Sequence, residues 1–193
     1  MRSNTFSNRR KLGVAGLLFA GSLIGAVPAG AQTGGAGPPG GTTTTTPAPT
    51  TSGSTATIQP DGTAAAPADA PIRIQRAIAA ANRIHTKPYI WGGGHRRFKS
   101  KGYDCSGAVS YVLHAAKLIR SPMSSGPLMR WGTPGIGSWI TVYANSSHAY
   151  MVVAGLRFDT SAVGESLNQG SGPRWRASAR SATGYASRYF PGL

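Results

Sequence analysis

The chain has 193 residues, with 20 Lys+Arg against 5 Asp+Glu, 4 His and a single Cys, and a formal net charge of +15. Charged residues make up 13%, about half the roughly 25% of an ordinary soluble chain, and the shortage falls on the acids. One cysteine excludes an intramolecular disulfide framework and a four-cysteine zinc site, and four His without a His-Glu-x-x-His run argue against a zinc hydrolase. The length accommodates one ordinary domain or two small ones.

Residues 1–31 have the pattern of an export signal. Arg9, Arg10 and Lys11 precede an uncharged, mostly apolar stretch from Leu12 to Val27, and Ala29-Gly30-Ala31 supplies the small residues of a cleavage site. That stretch is 16 residues long, shorter than the roughly 20 of a membrane span. An uncleaved amino-terminal anchor is the other reading of the same segment, and after cleavage no stable span is expected. The route, general secretory or twin-arginine, stays open. Residues 32–70 read as a disordered linker: 34 of the 39 positions are Gly, Pro, Thr, Ser or Ala, and Ile58 is the one large apolar side chain. Such a segment buries too little surface to offset the entropy of ordering it. The run Thr42 to Thr46 is a candidate for sugar attachment.

Residues 71–193 form the expected domain. They hold all four Trp, all seven Tyr, 16 Lys+Arg and only three acids, Asp104, Asp159 and Glu165. Asp69 is the expected cap of a first helix carrying Ile74, Ile78, Ala81 and His85, which Pro88 terminates. A glycine loop, Tyr89-Ile90-Trp91-Gly92-Gly93-Gly94, and a basic loop, His95 to Lys101, lead to a second helix opening at Cys105. Val109, Val112, Leu113 and Ala116 mark its buried face, and Asp104 is its expected cap. Beyond a loop from Ser121 to Gly137 the period changes to that of strands: Trp139 to Tyr143, His148 to Val153, Leu156 to Asp159, and two more near Arg174 and Tyr185. Helices first and an antiparallel sheet afterwards predict an α+β fold.

The lone Cys105 lies in the first turn of a predicted helix, where the partial positive charge of the helix end favours a thiolate. On position alone, a buried inert cysteine accounts for it as well as a nucleophile does. His148 opens a strand, and Asp159 follows 11 residues later on the next one. If Ala154 and Gly155 make the turn, imidazole and carboxylate come from neighbouring strands. Thiolate, general acid–base and orienting carboxylate are then all available. Taken singly, His148 reads equally as a structural histidine and Asp159 as a turn residue. His85 and His114 read as structural, and His95 as a loop residue at most.

Pro88-Tyr89-Ile90-Trp91-Gly92-Gly93, then Asp104-Cys105-Ser106-Gly107 opening a helix, then a strand led by His148, resembles the NlpC-type cell-wall cysteine peptidases. The resemblance covers roughly residues 72–160. It implies a small papain-like fold, amino-terminal helices packed on an antiparallel sheet or small half-barrel, acting on amide bonds of peptidoglycan stem peptides without a cofactor or metal. By resemblance Cys105 is the nucleophile, His148 the base and Asp159 the third polar residue, with Tyr89 near the thiol. Trp91, Ser106, Arg96 and Arg97 are the accompanying candidates for substrate or oxyanion binding. The chain departs from the family pattern in having Asp159 where His is most frequent, and in lacking both the Gly-Asp-Leu-Val-Phe-Phe strand before the histidine and the Arg-Thr-Ser after the first catalytic helix. Its loop between Gly94 and Gly102 is long and basic.

Arg96, Arg97, Lys99 and Lys101, with Arg174, Arg176, Arg180 and Arg188, carry much of the excess charge. They suit anionic wall polymers and stem-peptide carboxylates, or serve only as a solvated surface. Trp175, Tyr185 and Tyr189 interleave with the last arginines as in single-stranded nucleic-acid binders, a partner that export argues against. The expectation is therefore a secreted or envelope-located monomer that binds peptidoglycan and no nucleic acid. It is either a peptidase, a catalytically idle basic wall-binding module, or an amidase or acyltransferase acting on another envelope amide.

Overall fold

The computed structural model describes residues 50–51, 55–162 and 171–193. The export signal, most of the linker and Glu165 lie outside them. Among the described residues no helix is long and apolar enough to cross a membrane.

Helix α1 (Ile72–Ile84) buries Ile74, Ala77, Ile78, Ala81 and Ile84, the i, i+3, i+4, i+7 stripe of an amphipathic helix. It packs on α2 (Cys105–Ala115), whose Val109, Val112 and Leu113 are buried as their spacing predicts. The expected cap at Asp69 is not used. Pro71 occupies the N-cap position without a side-chain hydrogen bond, and Asp69 is exposed. A proline whose φ already suits a helix start makes an additional cap dispensable. Asp104 does cap α2, its Oδ1 accepting from Gly107 N at 2.8 Å. At the other end Lys117 adopts a positive φ of 62°, and Leu118 N–H reaches back to Leu113 C=O, the backbone reversal that terminates a helix.

The end of the presumed linker is part of the fold. Strand β1 (Thr50–Thr51) pairs in parallel with β3 (Ala64–Pro67), which also pairs antiparallel with β2 (Thr57–Ile58). Ala64, Ala65 and Ala66 are buried, with Ala64 and Ala66 fully so, and Ala56 N–H donates to Ala154 C=O at a hairpin turn of the main sheet. The boundary expected at residue 71 therefore moves upstream of residue 55. Small side chains look like linker by composition, but they also let a backbone lie directly on a helix. Asn82 of α1 makes the joint: it donates to Ala64 C=O at 2.9 Å, accepts from Ala64 N–H at 2.8 Å and accepts from Trp175 Nε1 at 2.7 Å. Asn82→Ala strands these partners and is expected to destabilise the domain by about 2–3 kcal/mol, read as a lower denaturant midpoint with an unchanged slope.

The main sheet has six strands in the order β4-β9-β5-β6-β7-β8: β4 (Thr133–Pro134), β5 (Ile140–Ala144), β6 (Ala149–Val153), β7 (Leu156–Asp159), β8 (Arg174–Arg176) and β9 (Ala186–Tyr189). All its pairings are antiparallel, giving the expected α+β class. A one-turn helix α3 (Ser125–Leu128) and β4 interrupt the expected loop. Ile140, Val142, Ala144, Ala149, Met151, Val153 and Phe158 join α1 and α2 in one core. Ala154 (φ 46°) and Gly155 (φ 79°) form the two-residue turn between β6 and β7, both left-handed as such hairpins require. The sheet order has one further consequence. To pass from β8 at the edge to β9 between β4 and β5, residues 177–185 must cross β7, β6 and β5.

Candidate functional site

The glycine loop reaches α2 because neither side carries a side chain at the contact. A Cβ on Gly107 would lie 1.9 Å from Gly93 O, and one on Gly94 would lie 3.0 Å from the Gly107 Cα. Asp104 closes this junction. Its Oδ2 accepts from Gly92 N–H at 3.0 Å, and its Oδ1 is 2.9 Å from His95 Nε2 in addition to capping Gly107. Ser106 Oγ lies 3.1 Å from the same His95 nitrogen. His95 and Ser106 thus belong to the bracing of the loop, and Ser106 is buried. Tyr89 and Tyr103 form an isolated parallel bridge that sets the start of the loop.

Cys105 lies in the first turn of α2 with 8% of its surface exposed. Its sulfur interacts with the His148 ring and the Ala149 N–H, both of which favour its charged form. His148 Nε2 is 2.9 Å from Asp159 Oδ1, and the same ring interacts with Cys105. The Asn145 side chain fixes the approach, its Oδ1 accepting from the Ser147 and His148 N–H groups at 3.0 and 2.8 Å. Strands β6 and β7 pair Met151 with Phe158 and Val152 with Arg157, so Tyr150 stands opposite Asp159, and His148 is its diagonal neighbour on the same face. Thus Cys105, His148 and Asp159, remote in sequence, are brought together, with His148 and Asp159 in hydrogen-bond contact.

The charges reinforce one another. Burial alone would raise the Cys105 thiol, but the hydrogen bonds from His148 and Ala149 N–H and the imidazolium charge carry it below its ordinary value. Burial likewise works against a charged His148, yet the hydrogen bonds to Asp159 and Cys105 and their negative charges raise it to about 9. Asp159, with its side chain wholly buried, is held below the usual carboxylate range despite that burial, by His148, Ser161 N–H and Arg180. Tyr89 is raised, first by burial and then by the Cys105 and Asp104 charges. The arrangement can hold a thiolate beside an imidazolium.

The remaining predicted residues stand apart from this group. Trp91 is 85% exposed, and Arg96 and Arg97 line a cavity of about 260 Å³ with Lys99, Ser100, Gly92 and Gly94. Among the described residues none of the three bonds to Cys105, His148 or Asp159. A larger cavity of about 720 Å³, walled by Asp61, His85 and Trp175, also excludes Cys105.

The carboxy-terminal arginines correct an expectation, for most are committed internally. Arg174 donates to the carbonyls of His85 and Lys87, Arg176 to Asp159 O and Arg188 to Met129 O. Arg180 donates to Asp159 Oδ2 at 3.0 Å and to Tyr185 Oη at 2.8 Å. The sequence reading missed the contribution of Arg180, Tyr150 and Tyr185 to this site. The only local trace was the alternation of Arg with Tyr near the end of the chain.

No family model and no curated protein matches this chain. Among solved structures it is similar to an NlpC/P60 family protein from Bacillus cereus ATCC 10987, at 17% identity and a TM-score of 0.45 over 61% of this chain. The chain spans 40% of that protein's length. Its own geometry defines an α+β protein with a Cys–His–Asp group where the amino end of a helix meets a β-hairpin.

Proposed function

We propose that this protein is an exported cysteine peptidase that hydrolyses amide bonds in peptidoglycan stem peptides, with Cys105 as nucleophile, His148 as acid and base, and Asp159 orienting the imidazole. The observation that carries the reading is the His148 ring, which lies 2.9 Å from Asp159 Oδ1 and also interacts with the Cys105 sulfur. The peptide and wall assignment comes from the sequence resemblance, and export to the envelope from the charged, apolar and small-residue pattern of residues 1–31.

In the first step the Cys105 thiolate adds to the carbonyl carbon. The oxyanion is met by N–H groups at the open end of α2. Gly107 N–H is taken by the Asp104 carboxylate and Ala108 N–H by its carbonyl, which leaves those of Cys105 and Ser106. The carbon–nitrogen bond then breaks as the His148 imidazolium gives its proton to the departing amine, leaving a thioester. Water adds to the thioester while neutral His148 accepts its proton, and collapse frees the acid product and restores the thiolate–imidazolium pair. The Arg and Lys cations of the 95–101 loop, which have no ion-pair partner among the described residues, suit anionic wall material together with exposed Trp91.

The test is digestion of purified peptidoglycan by the mature protein, with mass analysis of the released fragments. New free amino and carboxyl ends within stem peptides support the reading. Binding without release supports the idle wall-binding alternative, and fragments from another amide support the amidase.

The pH dependence follows from the same pair. The reactive form requires deprotonated Cys105 and protonated His148, so kcat/KM should rise through the lowered thiol value and fall near pH 9, not near the 6.5 of a free imidazole. For stability the two groups act in opposite senses. The His148 contribution is fully present below 6.5 and is lost as pH rises through about 9, whereas that of Cys105 is present above its ordinary value of 9.0 and is lost as pH falls through its folded one. Activity against pH, with thiol alkylation as a second readout, checks this: His148→Ala should move the alkylation curve upward toward pH 9. An alkaline limb at 6.5 in the wild type would contradict it.

A further inference from the structure

Asp159 is one carboxylate serving both sides of the site. Oδ1 faces His148 Nε2 and accepts Ser161 N–H, each at 2.9 Å, while Oδ2 receives Arg180 Nη1 at 3.0 Å with Arg157 Nε at 3.8 Å. Arg180 is held on three sides. Besides Asp159 it donates to Tyr185 Oη, and its guanidinium lies over the rings of Tyr150 and Tyr185 at 5.4 and 5.5 Å. Tyr185 in turn sets its ring at 80° to that of His148, 6.4 Å between centroids, and Tyr150 lies at the same distance from the imidazole. All this rests on the 177–185 crossing, which the sheet order carries over β7 and β6.

We propose that Arg180 is a positioning residue: it shares the Asp159 carboxylate with His148 and thereby sets how readily the imidazole releases its proton to the departing amine. This rests on the peptidase reading for its purpose, though not for its physical effect. A carboxylate claimed by imidazole alone would hold the imidazolium proton too firmly for a general acid working near neutrality. A fixed guanidinium on the opposite oxygen draws part of that negative charge away, and its own charge opposes a second cation nearby. The carboxylate itself does not depend on Arg180 for its place. Ser161 N–H and complete burial keep Oδ1 aimed at His148, so loss of Arg180 changes the charge that His148 meets more than the geometry. The other titratable or charged groups around the ring and its carboxylate are Cys105 from α2, Tyr150 from β6, Arg157 from β7, Arg176 from β8 and Tyr185 from the crossing.

The test needs no substrate. The ring protons of His148 are titrated by NMR in Cys105→Ala and in Cys105→Ala combined with Arg180→Met. The double variant should titrate higher by at least about half a pH unit. Arg180→Lys, which keeps the charge, should lie between the two. In the Cys105-containing enzyme, Arg180→Met should lower kcat about tenfold at unchanged KM and move the alkaline limb upward. An unchanged or lower His148 titration overturns the proposal and leaves Arg180 a structural residue. Should Arg180→Met fail to fold, Tyr185→Phe removes one tether of the guanidinium. It should give a smaller upward shift, and its absence counts equally against the proposal. A shifted titration in a protein that releases nothing from peptidoglycan would sink the peptidase reading and leave the role of Arg180 in place.

Discussion

Cys105→Ala is expected to reduce release of stem-peptide fragments by ~10⁴-fold or more, as loss of a nucleophile does when the remaining groups act only through it. The folded state should survive. Cys105 is small, 8% exposed, and lies on a helix turn whose capping is done by Asp104, so removing one sulfur opens little space. Unfolding transitions within about 1 kcal/mol of wild type are expected. Cys105→Ser should be equally inactive, because a hydroxyl beside His148 does not ionise as a thiol does. Retained turnover in either variant would mean that another group attacks the amide. A collapse in stability would mean that the cysteine is a packing residue.

The second large effect concerns Asp159, where stability and activity should fall together. Its carboxylate receives His148, Ser161 N–H and Arg180, with Arg157 close by, and the residue is 2% exposed. Asp159→Ala leaves cationic side chains buried without their anion, a change that typically costs about 3–5 kcal/mol. For a domain of this size that amounts to a fall in Tm of ~10–20 °C. Asp159→Asn keeps the shape, but a carboxamide presents one oxygen where the carboxylate offers two to His148, Arg180 and Arg157. It should lose about half of that stability and lower the rate less completely than Cys105→Ala. In Asp159→Asn the alkaline limb should also retreat from about 9 toward 6.5, since the hydrogen bond and charge of Asp159 are chief causes of the raised value. Thermal melts with a pH profile separate the two contributions. An Asp159→Ala protein as stable as wild type would show that the buried cations have other anions to turn to.

These two expectations differ in how far the sequence foreshadowed them. A cysteine following an aspartate at the head of an apolar 3.6-residue pattern is a local feature, and α2 begins at Cys105 as that pattern requires. The His148–Asp159 distance was also encoded locally: a two-residue Ala-Gly turn sets the strand register, and register sets which side chains share a face. Arg180 has no such local determinant. Its partner lies 21 residues away and is reached only because β9 inserts between β4 and β5, which brings the crossing over β7. Alanines 64–66 misled for a related reason. Composition registers what a segment can bury by itself, whereas these residues are ordered by Asn82, 18 positions from Ala64, and by α1.

The amino-acid order alone therefore determined the α+β class, the two helices, and the hairpin that pairs imidazole with carboxylate, because each depends on periodicity, capping or turn chemistry over a few residues. Only the tertiary structure decided where the folded part begins, which arginines face inward, and that a guanidinium stands behind the buried Asp159. Those outcomes depend on contacts between distant segments, and such contacts follow from strand order, which neighbouring residues do not encode.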